Sequence, residues 1–268
     1  MTRDPDRLCW VDGAVLPRDA AVVRADDSSF TEGRGCYTSI RIRNGEPRFL
    51  ARHLRRLRDG AAALGLGPLD DSDVHRAITD LVSAGFPHGE GVVRLQLSAD
   101  GDGATHLVGL PRGLGVDNPT WTAASAPLRH PGAVLTRGLK VTDRLALALA
   151  AASARDAGVD EALLFDAGDR LVEGSRSNLV VVTADATPVT PPECLGAVAG
   201  IALQIALERV PEIARRALLR DELDGARELI AINCVRGARP VVSLDGRPVG
   251  DGTAGPFAKR LGEVLDGE

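Results

Sequence analysis

The first group able to do chemistry is an amine. Lys and Arg together number 32 among 268 residues, yet only Lys140 and Lys259 are lysines. Lys259 stands beside Arg260 and near Glu263, a pattern that reads as a solvated helix face. Lys140 lies between Leu139 and Val141, just ahead of an Ala/Leu-rich stretch. Apolar neighbours desolvate an amine, which is what a Schiff-base lysine needs. They equally suit a surface lysine that lays its stem on apolar ground. A second group is the stretch Glu173-Gly174-Ser175-Arg176-Ser177-Asn178, read as a polar turn after a β-hairpin and before an apolar strand. An acid there can face a cationic ring nitrogen. A third is Thr190-Pro191-Pro192 leading to Gly200-Ile201-Ala202. A Gly at a helix start lets a ligand approach the backbone, and the free N–H groups there bind phosphate. His53-Leu54-Arg55-Arg56-Leu57 adds cations, and spacing alone does not choose among Arg52, Arg55, Arg56 and Arg58.

These groups need elements to hold them. Asp12-Gly13, Asn44-Gly45 and Asp245-Gly246 are hairpin turns by type, since a tight I′ turn needs positive φ at both positions. They pair residues 10–11 with 14–16, 36–42 with 47–50, and 240–244 with 247–249. Leu50, Leu54, Leu57, Ala61 and Leu64 recur at helical spacing and predict a helix over 51–64, stopped by Gly65 and Gly67. A second helix is predicted over 72–84, and strands over 92–97 and 105–110. Residues 111–119 hold two Gly and two Pro without periodicity, which marks a linker. Beyond it follow a strand at 121–125, a loop to Lys140, and a helix over 143–157 capped by Thr142 or Asp143. Strands at 161–165, 179–183 and 228–233 and helices at 200–209 and 256–265 complete the pattern. The expected organisation is an N-terminal α/β domain over 1–112, a linker over 113–119, and a C-terminal α/β domain over 120–268 that carries Lys140.

Composition removes several classes. Aromatic residues are 3%, the net charge is -5 and the pI is about 5.6, which argue against nucleic acid as a partner. The longest wholly apolar run, 145–152, is too short to span a bilayer, and the polar start Met1-Thr2-Arg3-Asp4-Pro5-Asp6 leads into no apolar signal segment. A cytoplasmic protein without a membrane partner is expected. Cys9, Cys36, Cys194 and Cys234 form no Cys-x-x-Cys pair, and the five His make no cluster with ligand spacing, so no metal is expected. No G-x-S-x-G, H-E-x-x-H or Walker motif is present. Gly33-Arg34-Gly35 begins like a dinucleotide fingerprint, but Thr38 stands where the third Gly belongs and a strand follows. Asp100-Gly101-Asp102-Gly103 lacks the rest of a calcium loop and reads as a turn.

The order of the remaining signals resembles the fold type IV, branched-chain aminotransferase-like (class IV) pyridoxal phosphate enzymes. Gly33-Arg34-Gly35-Cys36-Tyr37-Thr38-Ser39-Ile40-Arg41 is similar to that family's Gly-x-Gly-x-Phe-x-Thr-x-Arg stretch. Asn44-Gly45, Phe49-Leu50 and His53-Leu54-Arg55-Arg56-Leu57 follow as they do there. Leu139-Lys140, Asp160-Glu161-Ala162-Leu163, Glu173-Gly174, Asn178-Leu179, Thr190-Pro191-Pro192 and Gly200-Ile201 continue the match over nearly the whole chain. The resemblance implies a mixed α+β or α/β, two-domain D-amino acid/branched-chain aminotransferase-like fold, with the cofactor between the domains of a homodimer. It implies that Lys140 carries pyridoxal 5'-phosphate and shuttles a proton, and that Glu173 faces the pyridine nitrogen, where an acid lets the ring act as an electron sink. It further implies that Arg56 binds the phosphate with the backbone N–H groups of Ile201 and Ala202, and that Asn178, Gly200 and Cys234 are cofactor-binding.

Within the family, Lys140-Val141-Thr142-Asp143-Arg144-Leu145 resembles the Lys-x-x-Asn-Arg-Leu pattern of the aminodeoxychorismate lyases, with Asp143 in place of Asn. Gly35-Cys36-Tyr37-Thr38 is similar to their Gly-Cys-Phe-Thr, and Asn233 with Arg236-Gly237-Ala238-Arg239-Pro240-Val241 to their C-terminal strand. This implies conversion of 4-amino-4-deoxychorismate to p-aminobenzoate and pyruvate, a step toward folate, with Tyr37, Arg41, Arg94 and Arg144 at the substrate. Two departures stand out. The lyases' Ser-Arg-Gly is Ser98-Ala99-Asp100 here, which passes carboxylate binding to Arg41, Arg94 or Arg144. Their Gly-Ile-Thr-Arg is Gly200-Ile201-Ala202-Leu203, which removes a hydroxyl but keeps the backbone donors. The alternatives are a class IV aminotransferase acting on a small branched-chain or D-amino acid, or a relative that binds without turnover.

Overall fold

Positive φ at Asp12 and Gly13 folds β1 (Leu8–Val11) back on β2 (Ala14–Pro17), with Val11 opposite Ala14. The computed structural model describes residues 4–21, 23–86, 88–132, 136 and 138–267. It divides into two units, Met1–Val116 with Leu139–Asp143, and Asp117–Gly138 with Arg144–Glu268.

The first unit continues with α1 (Ser28–Thr31), β3 (Cys36–Arg43), β4 (Glu46–Pro47), α2 (Leu50–Ala63), α3 (Asp71–Gly85), β5 (Gly91–Ala99) and β6 (Thr105–Arg112). Its six strands pair antiparallel in the order β2-β1-β6-β5-β3-β4. Side chains alternate across a strand. Ile40 and Ile42 of β3 and Val93, Leu95 and Leu97 of β5 therefore share one face, where Leu54 and Leu57 of α2 and Val74, Ile78 and Leu81 of α3 cover them. Tyr37, Ser39 and Arg41 take the alternate positions. The return strand after Asn44-Gly45 is shorter than the spacing predicted. Pro47 has no N–H to extend the ladder, Phe49 turns left-handed at φ 57, and Leu50 already lies in α2.

Residues 139–143 belong with this first unit, not with the C-terminal domain expected to carry Lys140. The cause is backbone pairing along the open edge of β3. Cys36 and Val141 form an antiparallel bridge. The Tyr37 N–H donates to Lys140 C=O at 2.9 Å, and the Thr142 N–H donates to Gly35 C=O at 2.8 Å.

The second unit holds β7 (Trp121–Arg129), α4 (Leu145–Asp156), β8 (Glu161–Phe165), β9 (Leu171–Gly174), β10 (Asn178–Val182), β11 (Pro188–Thr190), α5 (Ile201–Arg209), β12 (Ala214–Arg215), β13 (Glu228–Asn233), β14 (Gly237–Leu244), β15 (Arg247–Pro248) and α6 (Pro256–Asp266). The main path of its sheet is β12-β11-β10-β13-β14-β7-β8-β9, with β15 on β14. The β14·β7, β7·β8 and β11·β12 pairs are parallel. Strands β8 and β10 are buried along their whole length. Their sequences are accordingly near-continuous apolar runs instead of alternating ones. Asp117 marks the start of this unit because its carboxylate is paired with Arg236 and Arg239 of the β13–β14 region. Strand β7 runs four residues past the predicted end at Ser125. In the loop expected from there to Lys140, positions 133–135 and 137 lie outside the described residues. The N-cap of α4 is Arg144, not Thr142 or Asp143, because the Thr142 hydroxyl is engaged with Gly33 C=O at 2.7 Å.

One buried acid ties the first unit's lead-in to its sheet. Asp27 accepts from the Ser29 N–H at 2.8 Å, the Ser29 hydroxyl at 2.5 Å and the Ser98 hydroxyl at 2.7 Å. Burial opposes its ionisation, but these hydrogen bonds outweigh it and hold the carboxyl below the usual value. A depressed carboxyl contributes stability above its unfolded pKa of about 3.9, and that stability is lost as pH falls through the folded value. Asp27→Ala is expected to destabilise by about 1–3 kcal/mol, the cost of stranding buried partners. Thermal melts from pH 7 down to about pH 2 check this: the gap between wild type and variant should hold down to about pH 4 and narrow below it.

Candidate active site

In the first unit, Lys140 is half-buried, and its Nζ stands 4.8 Å from the centre of the Tyr37 ring. The Arg94 guanidinium covers the same ring at 3.7 Å, a cation–π contact, and also donates to Gln96 Oε1 at 2.9 Å. Strand register explains the grouping, since Tyr37 is opposite Gln96 and Ser39 opposite Arg94. The two glycines before β3 make room for the lysine segment. A Cβ on Gly33 would meet Asp143 Cβ at 2.9 Å, and one on Gly35 would meet Leu97 O at 2.8 Å and Thr142 Cγ2 at 3.0 Å. Gly33-Arg34-Gly35 thus serves close packing of backbone on backbone.

On the covered face, the Thr38 hydroxyl and His53 Nδ1 share a hydrogen bond of 2.5 Å, while His53 Nε2 is buried without a partner. Burial pushes the His53 imidazole down to about 3, helped by the charges of Arg56 and Lys140. The arginines left open by spacing now differ. Arg55 is exposed, Arg58 pairs with Asp71, and Arg52 and Arg56 are half-buried one turn apart. Arg41 pairs with Glu90.

In the second unit, Glu173 is a strand residue of β9 in register with Leu164, not part of a turn. It is 4% exposed. Oε2 accepts from the Val198 N–H at 3.1 Å, and Oε1 lies 3.4 Å from His130 Nε2. The Val198 C=O accepts from Asn178 Nδ2 at 2.8 Å, so Val198 is held by both predicted residues. Two residues on, Gly200 opens α5, whose N-terminus no side chain caps. The first N–H groups of a helix have no intrahelical partner, so those of Ile201 and Ala202 are donors aligned for an anion. The turn after Glu173 is fixed by Glu161, fully buried, which accepts from the Ser175 hydroxyl at 2.5 Å, the Ser177 hydroxyl at 2.6 Å and the Ala162 N–H at 3.0 Å. Burial raises the Glu161 carboxyl despite those hydroxyls. Cys234 begins the turn between β13 and β14, just past Asn233, and Asn178 pairs with Ile232 at that end of the sheet. Arg144 is half-buried at the start of α4.

Sequence reasoning gave no role to His53, His130, Glu161 or Val198. The His53-Leu54-Arg55-Arg56-Leu57 and Asp160-Glu161-Ala162-Leu163 motifs contain His53 and Glu161, and nothing pointed to His130 or Val198. Val198 acts through its backbone, which no residue type signals.

Residues 35–244 match the model of the family described as amino-transferase class IV. The chain belongs to that family. This makes it a fold type IV enzyme of mixed α and β structure that uses pyridoxal phosphate. A D-alanine aminotransferase from Bacillus licheniformis is 26% identical over 94% of each chain. The structure of 4-amino-4-deoxychorismate lyase from Pseudomonas aeruginosa superposes with a TM-score of 0.82 at 28% identity, over 97% of this chain and 99% of that one. The branched-chain aminotransferase of the archaeon Thermoproteus uzoniensis with norvaline gives 0.83 at 23% identity, over 97% and 95%, a likeness of fold. The residues present suit the family's cofactor: an amine among apolar neighbours, a buried carboxylate and an uncapped helix start. Among the described residues no cluster of His, Cys, Asp or Glu could hold a metal, and no helix is long and apolar enough to cross a membrane.

Gly200 makes this class IV arrangement testable. A Cβ there would fall 1.7 Å from Asn178 Oδ1, whereas one on Gly262 in α6 meets nothing. Gly200→Ala should displace Asn178 from Val198 and weaken pyridoxal phosphate binding about tenfold or more, the scale of a lost charge-assisted contact. Gly262→Ala should leave binding intact and raise stability by up to about 1 kcal/mol through helix propensity. Titration of the apo forms beside thermal melts separates the two.

Proposed function

We propose that this class IV enzyme is an aminodeoxychorismate lyase, releasing p-aminobenzoate and pyruvate from 4-amino-4-deoxychorismate. The observation that carries the reading is the Lys140–Tyr37–Arg94 group, in which the amine and a guanidinium address one aromatic ring. A substrate with more than one carboxylate needs such a fixed cation near the reacting amine. Arg94, stacked on the Tyr37 ring, is the cation this reading assigns to carboxylate recognition. Tyr37 offers an apolar wall to the substrate ring.

The cofactor would be held by this chain's own residues in separate roles. Lys140 supplies the amine that binds it covalently and afterwards moves the proton. Glu173 faces the ring nitrogen. Arg56 and the N–H groups of Ile201 and Ala202 take the phosphate, Gly200 lets it approach, and Asn178 fixes Val198 beside them. Cys234 completes the set at the β13–β14 turn. Bound there, pyridoxal phosphate supplies an electron sink for charge developing on the substrate. The homodimer and the cytoplasmic location that the family resemblance and composition favour belong to the same reading.

The second reading is an aminotransferase on a small amino acid, favoured by the similarity to the D-alanine aminotransferase. The two part on their co-substrate. Supplied with aminodeoxychorismate and no 2-oxo acid, the purified enzyme should release pyruvate steadily. Lys140→Ala should abolish the release and Lys259→Ala should leave it unchanged, since this reading gives the Schiff base to half-buried Lys140 while Lys259 is exposed on α6. No pyruvate, together with amine exchange between D-alanine and 2-oxoglutarate, would give the aminotransferase reading its place.

A further inference from the structure

We propose that His130 is a positioning residue for Glu173, supplying a neutral hydrogen-bond donor that fixes the carboxylate without neutralising it. The inference rests on the reading of Glu173 as the partner of the cofactor's ring nitrogen. His130 follows β7 directly, and its backbone N–H donates to Phe165 C=O of β8 at 2.8 Å. Glu173 lies on β9, on the other side of β8, opposite Leu164. Both side chains are about 5% exposed.

The tautomer follows from geometry. The Gly132 N–H donates to His130 Nδ1 at 3.0 Å. A ring nitrogen that accepts carries no proton, so the single proton of the neutral imidazole sits on Nε2. Nε2 is the atom 3.4 Å from Glu173 Oε1, slightly long for a finished hydrogen bond and within the range that tightens when a site is loaded. The other oxygen is held by the Val198 N–H at 3.1 Å. Each carboxylate oxygen accepts at two positions, so both donors can be satisfied while the group still faces a third.

The choice of imidazole matters chemically. An Arg or Lys at this position would pair with Glu173 and cancel the charge that the ring nitrogen needs. An aliphatic residue would leave one carboxylate oxygen buried without a donor. A neutral histidine with its proton directed at the acid does neither.

The test uses His130→Leu, His130→Gln and Glu173→Gln in the full chain. In the apo form, nitrogen NMR should show His130 protonated at Nε2 and bare at Nδ1, with a signal that moves in Glu173→Gln. A proton on Nδ1, or a signal blind to Glu173→Gln, overturns the proposal. Loaded with pyridoxal phosphate, His130→Leu should turn over about tenfold more slowly, the scale of a hydrogen bond to a charged group. The substrate is aminodeoxychorismate or, where that is inert, D-alanine with 2-oxoglutarate. His130→Gln, whose amide N–H reaches the same place, should recover to within about threefold. Apo melts of the two His130 variants should match, which separates positioning from packing. Equal loss in both variants, or a full His130→Leu effect persisting in a Glu173→Gln background, overturns it as well. If Glu173→Gln itself costs nothing, the reading of Glu173 fails, and the NMR arm still decides the His130 contact.

Discussion

Two carboxylates buried on neighbouring strands set the terms for the second unit. Glu161 on β8 and Glu173 on β9 are 0% and 4% exposed, and an ion taken out of water costs several kcal/mol unless donors replace the lost solvent. The local chain is arranged around that need. Ser175, Ser177 and the Ala162 N–H serve Glu161. The turn between β9 and β10 is therefore folded onto an acid beneath it, and Gly174 is required, because a Cβ there would meet Ser177 Oγ at 2.6 Å and Glu161 at 2.9 Å. Glu173 is served by Val198. Through Val198, Glu173 and Asn178 are tied to the segment that leads into α5.

The first unit solves a different problem, that of placing a flexible lysine. A four-carbon side chain is aimed only by its backbone and its walls. Here the backbone is an added rung on β3 at Cys36 and Val141, and one wall is Tyr37. Gly33 and Gly35 permit the rung to come close. On the helix-covered face, burial holds His53 neutral, helped by the charges of Arg56 and Lys140, so it adds no further positive charge.

Much of this is legible in the residues. The hairpins at Asp12-Gly13 and Asp245-Gly246 form where turn chemistry places them, and α2 follows its apolar spacing to within a residue at each end. The family follows from motifs in order, no single one of which is specific. Other features are hidden for identifiable reasons. Glu173 reads as a turn residue because β9 is only four residues long and ends in Gly, so its strand signal is shorter than any useful window. Residues 139–143 read with their neighbours in sequence, whereas pairing with β3 is a long-range contact that periodicity does not report. His130 looks idle because its partner is more than forty positions away across a strand.

That added rung on β3 has a consequence for biosynthesis. A nascent chain emerges in order, and domains tend to acquire structure as they leave the ribosome. The sheet of the first unit is complete in sequence at Arg112, yet the edge at Cys36 stays unpaired until Val141 has been made. During that interval the growing polypeptide displays bare N–H and C=O groups of the kind that invite mispairing with another strand. Lys140 thus arrives on the segment that closes this vulnerable edge, so placing its amine and finishing the sheet of the first unit are a single event in the life of the molecule.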